Sequence, residues 1–375
     1  MNIMDYSLIG DFNKLIQKNE FKKIFIISGK NSFYKSKANI FFKFPKKKIL
    51  KFFFKKSKLP QLNELNIIIK EIEKFNPDII LAIGGGAVID YAKIASIIDI
   101  NSIKDLKKKL ILYKNISKNK VYPLIAIPTT AGAGAEVTSN AVIYINSIKY
   151  SVENLLLIPD YFFLFPNLIL SNPFNLKSSA GFDAIAQSVE SLISMKSNKS
   201  SVFYAKKSLK LSLNNYLSFL KKPNRDNSKN MLFASNLAGK AINISKTTGP
   251  HAVSYPFSSM FGIDHGHAVS LTLEKFLLFN FKNINHSKSK FNLSDRYKTI
   301  FKLFNVSNII ELNDKIKFMK KEAQLIDDYS KLGININQSM NKILNQINEL
   351  RLKNNPIRVK KNDIREILND KIFRS

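Results

Sequence analysis

Short apolar runs separated by polar turns organise the first half of the chain. Residues 23–28 (KIFIIS) read as a buried strand ending at Gly29, and residues 48–54 (KILKFFF) as another. From Leu62 to Phe75 the apolar positions fall at helical spacing: Leu62, Leu65, Ile68, Ile69, Ile72 and Phe75. Residues 79–83 (IILAI) predict a third strand, which runs into Gly84-Gly85-Gly86 and a helix over 87–98. Residues 124–127 (LIAI) predict a fourth, ended by Pro128-Thr129-Thr130. Strands alternating with helices predict a parallel, doubly wound sheet. After about Leu168 the period changes. Helical spacing runs through 178–194, 200–220, 230–241 and 267–280. The tail from Ser287 is polar and rich in Lys and Asn, yet keeps helical spacing. Asn362 or Asp363 stands where it can cap a last helix through Leu368. The pattern predicts an α/β domain over 1–168 and an all-helical domain over 169–375.

Composition narrows the chemistry. The 375 residues are 45% hydrophobic and 11% aromatic, enough to build a core and too apolar for a disordered chain. Cysteine is absent, which excludes disulfides, a thiol nucleophile and thiolate-ligated zinc or iron–sulfur clusters. Any metal site must therefore use His, Asp, Glu, Asn, Gln or carbonyl oxygens. The formal net charge of +31 points first to nucleic acid. Only six of the 59 cationic side chains are Arg, however, and bidentate reading of phosphates and bases relies on Arg. The lysines lie in short runs along the whole chain, such as 46–48, 107–109 and 360–361. A solvated lysine surface is the expectation, with no nucleic-acid partner; the field should still attract small anions. The most apolar stretch, 155–170, is broken by Pro159, Asp160 and Pro166, and falls short of the ~20 residues needed to span a bilayer. No membrane partner and a cytoplasmic location are expected.

Three constellations carry chemistry. Gly84-Gly85-Gly86 sits between a strand and a helix, where bare backbone N–H groups and the helix dipole suit a phosphate. It is neither a GxGxxG fingerprint nor a Walker A loop, and a plain glycine turn is the alternative. The small-residue loop from Pro128 to Thr138 (PTTAGAGAEVT) follows the next strand, with hydroxyls free for phosphate or ribose. Two such loops at the carboxyl ends of neighbouring strands favour a nucleotide crevice over ordinary loops. The third constellation resembles a metal site. Asp183 and Gln187 are four apart on one helix face. Three of the four histidines, His251, His265 and His267, fall within 17 residues. Asp, Gln and two His suit a divalent first-row metal such as Fe²⁺ or Zn²⁺; an exposed helix face and unconnected histidines are the alternative. His286 reads as a solvated loop residue.

Together these motifs resemble the iron-containing (group III) alcohol dehydrogenase family. The resemblance rests on Gly84-Gly85-Gly86-Ala87-Val88-Ile89-Asp90, on the loop from Pro128 to Thr138, on Gly181-Phe182-Asp183-Ala184, and on His251 followed by His265-Gly266. It covers most of the chain and is weak over the last ~90 residues. It implies a Rossmann-like N-terminal dinucleotide-binding domain and a helical C-terminal domain, the dehydroquinate synthase-like fold, with metal and substrate in the cleft between. Carried over by motif, Gly84, Gly85, Gly86, Asp90, Thr129, Thr130 and Thr138 would bind NAD(P)H. Asp183, His251 and His265 would hold the metal, with Gln187 where the family usually has a fourth ligand, His. Tyr255 stands where another His is common, and Ala135 where the loop usually has Ser.

These departures resemble one branch of the family, the phosphonoacetaldehyde reductases. The matching segments are 236–248 (NLAGKAINISKTT), 250–256 (PHAVSYP), 262–269 (GIDHGHAV), Lys149-Tyr150-Ser151 and Asp183-Ala184-Ile185-Ala186-Gln187. The resemblance implies reduction of phosphonoacetaldehyde to 2-hydroxyethylphosphonate in phosphonate biosynthesis. Tyr255 and His267, beside the metal ligands in sequence, become candidates to pass a proton to the alkoxide. Lys149, Lys240 and Lys246 become candidates for the phosphonate of a small anionic aldehyde. The first strand ends in Ser28-Gly29-Lys30 without an acid, so NADPH is as acceptable as NADH. A homodimer is an open expectation, as is action on another small aldehyde.

Overall fold

The computed structural model describes residues 4–6, 9–18, 21–42, 44, 47–98, 103–111, 117–146 and 148–373. The chain divides into two compact units, Met1–Asn172 and Pro173–Ser375.

Among the described residues the first unit has eight strands: β1 (Met4–Tyr6), β2 (Lys23–Gly29), β3 (Ile49–Lys55), β4 (Ile79–Gly84), β5 (Leu124–Pro128), β6 (Asn140–Ile145), β7 (Ile148–Glu153) and β8 (Tyr161–Phe163). Its helices are α1 (Ile9–Lys18), α2 (Lys30–Lys35), α3 (Ala38–Phe41), α4 (Leu62–Phe75), α5 (Gly86–Ala95), α6 (Ile103–Ile111) and α7 (Asn167–Leu170). Six strands form one parallel sheet in the order β1-β8-β5-β4-β2-β3. The chain runs outward from β2 to β3 and returns to β4 on the other side of β2. That reversal makes a topological switch point between β2 and β4, where such sheets take ligands. β4 and β5 are buried along their whole length, as continuous apolar runs in a parallel sheet require. Phe12 packs edge-on against Phe42 and Phe163 in the core beside them. β3, expected as a buried strand, is an edge strand that leaves Ile49 and Phe52 exposed, and the sequence pattern resolved neither β1 and β8 nor the separate antiparallel hairpin of β6 and β7.

The second unit is helical: α8 (Phe174–Ile193), α9 (Lys199–Lys221), α10 (Arg225–Ser245), α11 (Gly249–Phe261), α12 (His265–Ser270), α13 (Leu273–Lys282), α14 (Leu293–Phe304), α15 (Ile309–Glu322), α16 (Ile336–Asn345), α17 (Glu349–Leu352) and α18 (Lys361–Leu368). Asn198 and Asn224 open α9 and α10 with reciprocal capping boxes. Buried serines let α8, α9 and α10 approach closely: the Ser188 and Ser208 hydroxyls bond at 2.7 Å, and Ser208 donates to the Ala234 carbonyl. The single helix expected over 267–280 is two helices, because Thr272 leaves helical geometry (φ −134°, ψ −5°) and its carbonyl starts α13. Asp363 caps the last helix from inside its first turn, while Lys360, and neither Asn362 nor Asp363, holds the N-cap position. The helix begins at Lys361, and Asp363 reaches back to the Lys360 N–H at 2.6 Å. Among the described residues no helix is long and apolar enough to cross a membrane.

Candidate functional site

In the first unit two loops meet at the carboxyl ends of neighbouring strands. Gly84 pairs in register with Pro128, and the Thr129 N–H donates to the Gly84 carbonyl at 3.0 Å. Gly84 is required by close approach: a Cβ there would lie 2.5 Å from the Val88 side chain in the first turn of α5. Gly85, the N-cap of α5, faces Thr130, whose hydroxyl and methyl lie 3.4 Å from where its Cβ would be; Gly86 faces Ala133 in the same way at 3.6 Å. The glycine turn and the threonine loop therefore lie side by side, and the first N–H groups of α5 lack helical carbonyl partners. This arrangement suits a phosphate.

Buried Lys93 ties the two parts together. Its ammonium donates to the Thr138 carbonyl and hydroxyl, each at 2.8 Å, and to the Asn140 carbonyl at 3.0 Å. Thr138 is thus a strut of the loop as well as a candidate ligand group. Burial brings Lys93 down to about 8, against the opposing pull of Asp90 and Glu136. Asp90, three residues earlier on α5, accepts the Val142 N–H. Burial pushes it up to about 6, against the charges of Lys93 and of Lys149 on β7. Lys30 stands exposed at the start of α2, directly after Gly29.

In the second unit Asp183, His251 and His265 converge: each offers a ligand atom, and these atoms lie within 4.8 Å of one another. Asp183 and Gln187 project from one face of α8, His251 from the first turn of α11, and His265 from the start of α12. Gly266 sets α12 on α8. A Cβ there would fall 1.9 Å from the Ser179 carbonyl oxygen and 2.9 Å from the Asp183 Cβ. The two imidazoles meet at 5.3 Å between centroids, 74° apart.

Glu190, absent from the motif reading, completes the support. It is fully buried on α8, three residues after Gln187. One carboxylate oxygen accepts from the Thr248 N–H (2.8 Å) and hydroxyl (3.0 Å), and the other meets His251 Nδ1 in a short contact. His251 Nε2 is left facing Asp183 at 3.1 Å. Burial opposes protonation of His251, but the Glu190 and Asp183 carboxylates outweigh it and raise the imidazole to about 10. Burial likewise opposes ionisation of Asp183, and the contacts with His251, the nearby His265 and Gln187 hold its carboxyl below the usual range. Asp183, Gln187 and Glu190 recur at i, i+4 and i+7, so the signal for Glu190 was present in the sequence as one polar stripe on an otherwise buried helix.

The donor set fits a cation. Gln187 is buried, and its Nε2 donates to Asp183 at 3.1 Å. Its carbonyl Oε1 is buried without any hydrogen-bond partner, beside a carboxylate and two imidazoles. An orphaned acceptor is costly in an interior, and a divalent ion satisfies it.

The remaining candidates spread around this centre. Tyr255 is buried on α11, its ring 6.3 Å from that of His265. His267 lies two residues beyond His265, and its Nε2 is engaged by the Ile326 carbonyl at 2.8 Å. Lys240 sits on α10. Lys246 is the C-cap of that helix with φ +59° and ψ 172°, a conformation side chains rarely adopt.

Two family models match the chain: iron-containing alcohol dehydrogenase over residues 3–166, and the C-terminal domain of the Fe-containing alcohol dehydrogenase family over residues 177–372. The second extends through the tail, where motif resemblance was weak. The 4-hydroxybutyrate dehydrogenase of Clostridium kluyveri is 31% identical over 233 residues, 60% of this chain and 61% of that protein. Long-chain-alcohol dehydrogenase 1 of Geobacillus thermodenitrificans is 28% identical over 204 residues, 52% of this chain and 50% of that protein. These matches thus span between half and about three-fifths of the relatives' own length. The crystal structure of a sulfoacetaldehyde reductase from Bifidobacterium kashiwanohense, in complex with NAD+, superposes with a TM-score of 0.86 at 21% identity, covering 98% of this chain and 96% of that one. With both family models matched in order along its length, the chain belongs to the iron-containing alcohol dehydrogenase family.

Proposed function

We propose that this chain is a metal-dependent, NAD(P)H-linked aldehyde reductase. Its proposed substrate is phosphonoacetaldehyde, reduced to 2-hydroxyethylphosphonate in phosphonate biosynthesis. The observation that carries the reading is the orphaned Gln187 carbonyl beside Asp183, His251 and His265. These four residues would hold the metal, which when bound polarises a carbonyl as a Lewis acid while the nicotinamide supplies hydride.

The chain's own residues do the rest. Glu190 fixes the His251 ring so that Nε2 faces the site. Gly84, Gly85, Gly86, Thr129 and Thr130 would cradle the dinucleotide phosphates, with Lys93 holding the Thr138 end of the loop. The net reaction adds a hydride to the carbonyl carbon and a proton to its oxygen. Tyr255, buried against His265, is the favoured proton donor. His267 ranks second because its Nε2 is already held by a carbonyl.

An anionic substrate is supported by the branch motifs, by Lys149, Lys240 and Lys246, and by the name of the structural relative. Sulfoacetaldehyde, like phosphonoacetaldehyde, carries its anionic group one carbon from the aldehyde. A second reading, reduction of succinic semialdehyde, is favoured by the 4-hydroxybutyrate dehydrogenase relative. The test is steady-state turnover of phosphonoacetaldehyde, sulfoacetaldehyde, succinic semialdehyde and propanal with NADH and with NADPH. Phosphonoacetaldehyde should give the highest kcat/KM, and Lys149→Ala with Lys246→Ala should raise its KM about tenfold or more while leaving that of propanal unchanged. A higher kcat/KM for succinic semialdehyde would transfer the assignment to the second reading. An unchanged phosphonoacetaldehyde KM in the lysine variants would remove the anion site.

A further inference from the structure

A cavity lies within the helical unit, lined by none of the candidate site residues described above. Its volume is about 470 Å³, within the range of small-molecule sites. The floor is apolar, with buried Leu344 of α16, Pro356 and Ile364 of α18. Lys288, Lys353, Arg358 and Lys361 also line it and are exposed, against the single acid Glu349. Among the described residues none of these four cations has an ion-pair partner. Arg is scarce in this chain, six against 53 Lys, so an unpaired Arg358 at a cavity is more telling than another lysine.

An apolar floor under a cationic rim selects one chemistry. We propose that this cavity is a binding site for an amphiphilic organic anion, a carboxylate or phosphate ester with a short apolar body. The head group meets Arg358 and the lysines, and the body covers Leu344, Pro356 and Ile364. Chain neighbours of the lining residues touch the segment that leads into His251. Asn354, next to the lining residue Asn355, donates to Ser194 Oγ (2.8 Å) and to the Ser245 (2.8 Å) and Thr247 (3.0 Å) carbonyls. Arg351 donates to the Thr247 hydroxyl at 3.2 Å, and the Asn348 N–H reaches the Ala252 carbonyl at 3.3 Å. The site is thus joined through these neighbours to the segment that leads into His251, and its existence does not depend on the proposed activity.

Calorimetric titration of the purified full chain with octyl phosphate tests this. One molecule per chain should bind, about tenfold or more tighter than inorganic phosphate, while octylammonium does not bind. Arg358→Glu with Lys361→Glu, both exposed positions, should weaken binding about tenfold or more with unchanged thermal unfolding. Val359→Trp, which fills the cavity, should do the same. Lys149→Ala with Lys246→Ala should leave binding intact. Equal affinity in the rim and filling variants, equal affinity for inorganic phosphate, or equal binding of octylammonium would each overturn the assignment.

Discussion

At the residue scale His251 and the carboxylates around it organise the candidate site. Glu190 accepts from His251 and from Thr248, so it fixes both the ring and the backbone that presents it. Glu190→Gln should lower Fe²⁺ or Zn²⁺ affinity about 10- to 100-fold, measured by equilibrium dialysis, with the fold retained by circular dichroism. Unchanged affinity would reduce Glu190 to a packing element. The protonation of His251 has a second consequence. Its pKa in the folded, metal-free chain is raised from 6.5 to about 10, so the stabilisation is complete below 6.5 and is lost as pH rises towards 10. Metal-free protein should therefore unfold at progressively lower denaturant concentration between pH 6.5 and 10, and His251→Ala should flatten that slope. The convergence of Asp183, His251 and His265 was anticipated from residue type and spacing. Glu190 continues the polar stripe of Asp183 and Gln187, but the stripe alone does not name its partners, Thr248 and His251 at the start of α11, which are about 60 residues away in the chain.

At the element scale, small residues decide how closely backbones approach. Gly266 lets the first turn of α12 rest on the Ser179 carbonyl of α8, which brings His265 to Asp183. Gly266→Ala must push the two helices apart, since the obstructing atom is backbone. A cost of about 3 kcal/mol is expected from urea unfolding, with a loss of metal binding out of proportion to that cost. A fully stable variant with normal metal affinity would contradict this packing. The strand–helix alternation of the first unit was readable because its central strands, β2, β4 and β5, are continuous apolar runs bounded by turns. Helix α11 was not, because Pro250 and Pro256 disguise it. Pro250 sits in its first turn, where a missing N–H costs nothing, and Pro256 is accommodated inside it. The hairpin β6–β7 was hidden by its mixture of apolar and charged residues, in which Lys149 and Tyr150 read only as a motif.

At the scale of the whole molecule, two units carry two kinds of apparatus. The first offers backbone N–H groups and small residues at a sheet switch point; the second offers charged and imidazole groups on packed helices. The +31 charge, the most prominent feature of the composition, located neither. Four histidines located one of them, because rarity makes clustering informative. In the proposed function Asp183, Gln187, His251 and His265 would hold one divalent metal on which aldehyde reduction depends. The most direct measurement is to strip the protein with chelator, reload it stepwise with Fe²⁺, and record bound metal and NAD(P)H oxidation with phosphonoacetaldehyde on the same samples. One metal per chain is expected, with activity rising in proportion to it, and neither in Asp183→Ala with His265→Ala. Full activity in the stripped protein, or stoichiometric metal in the double variant, would contradict it.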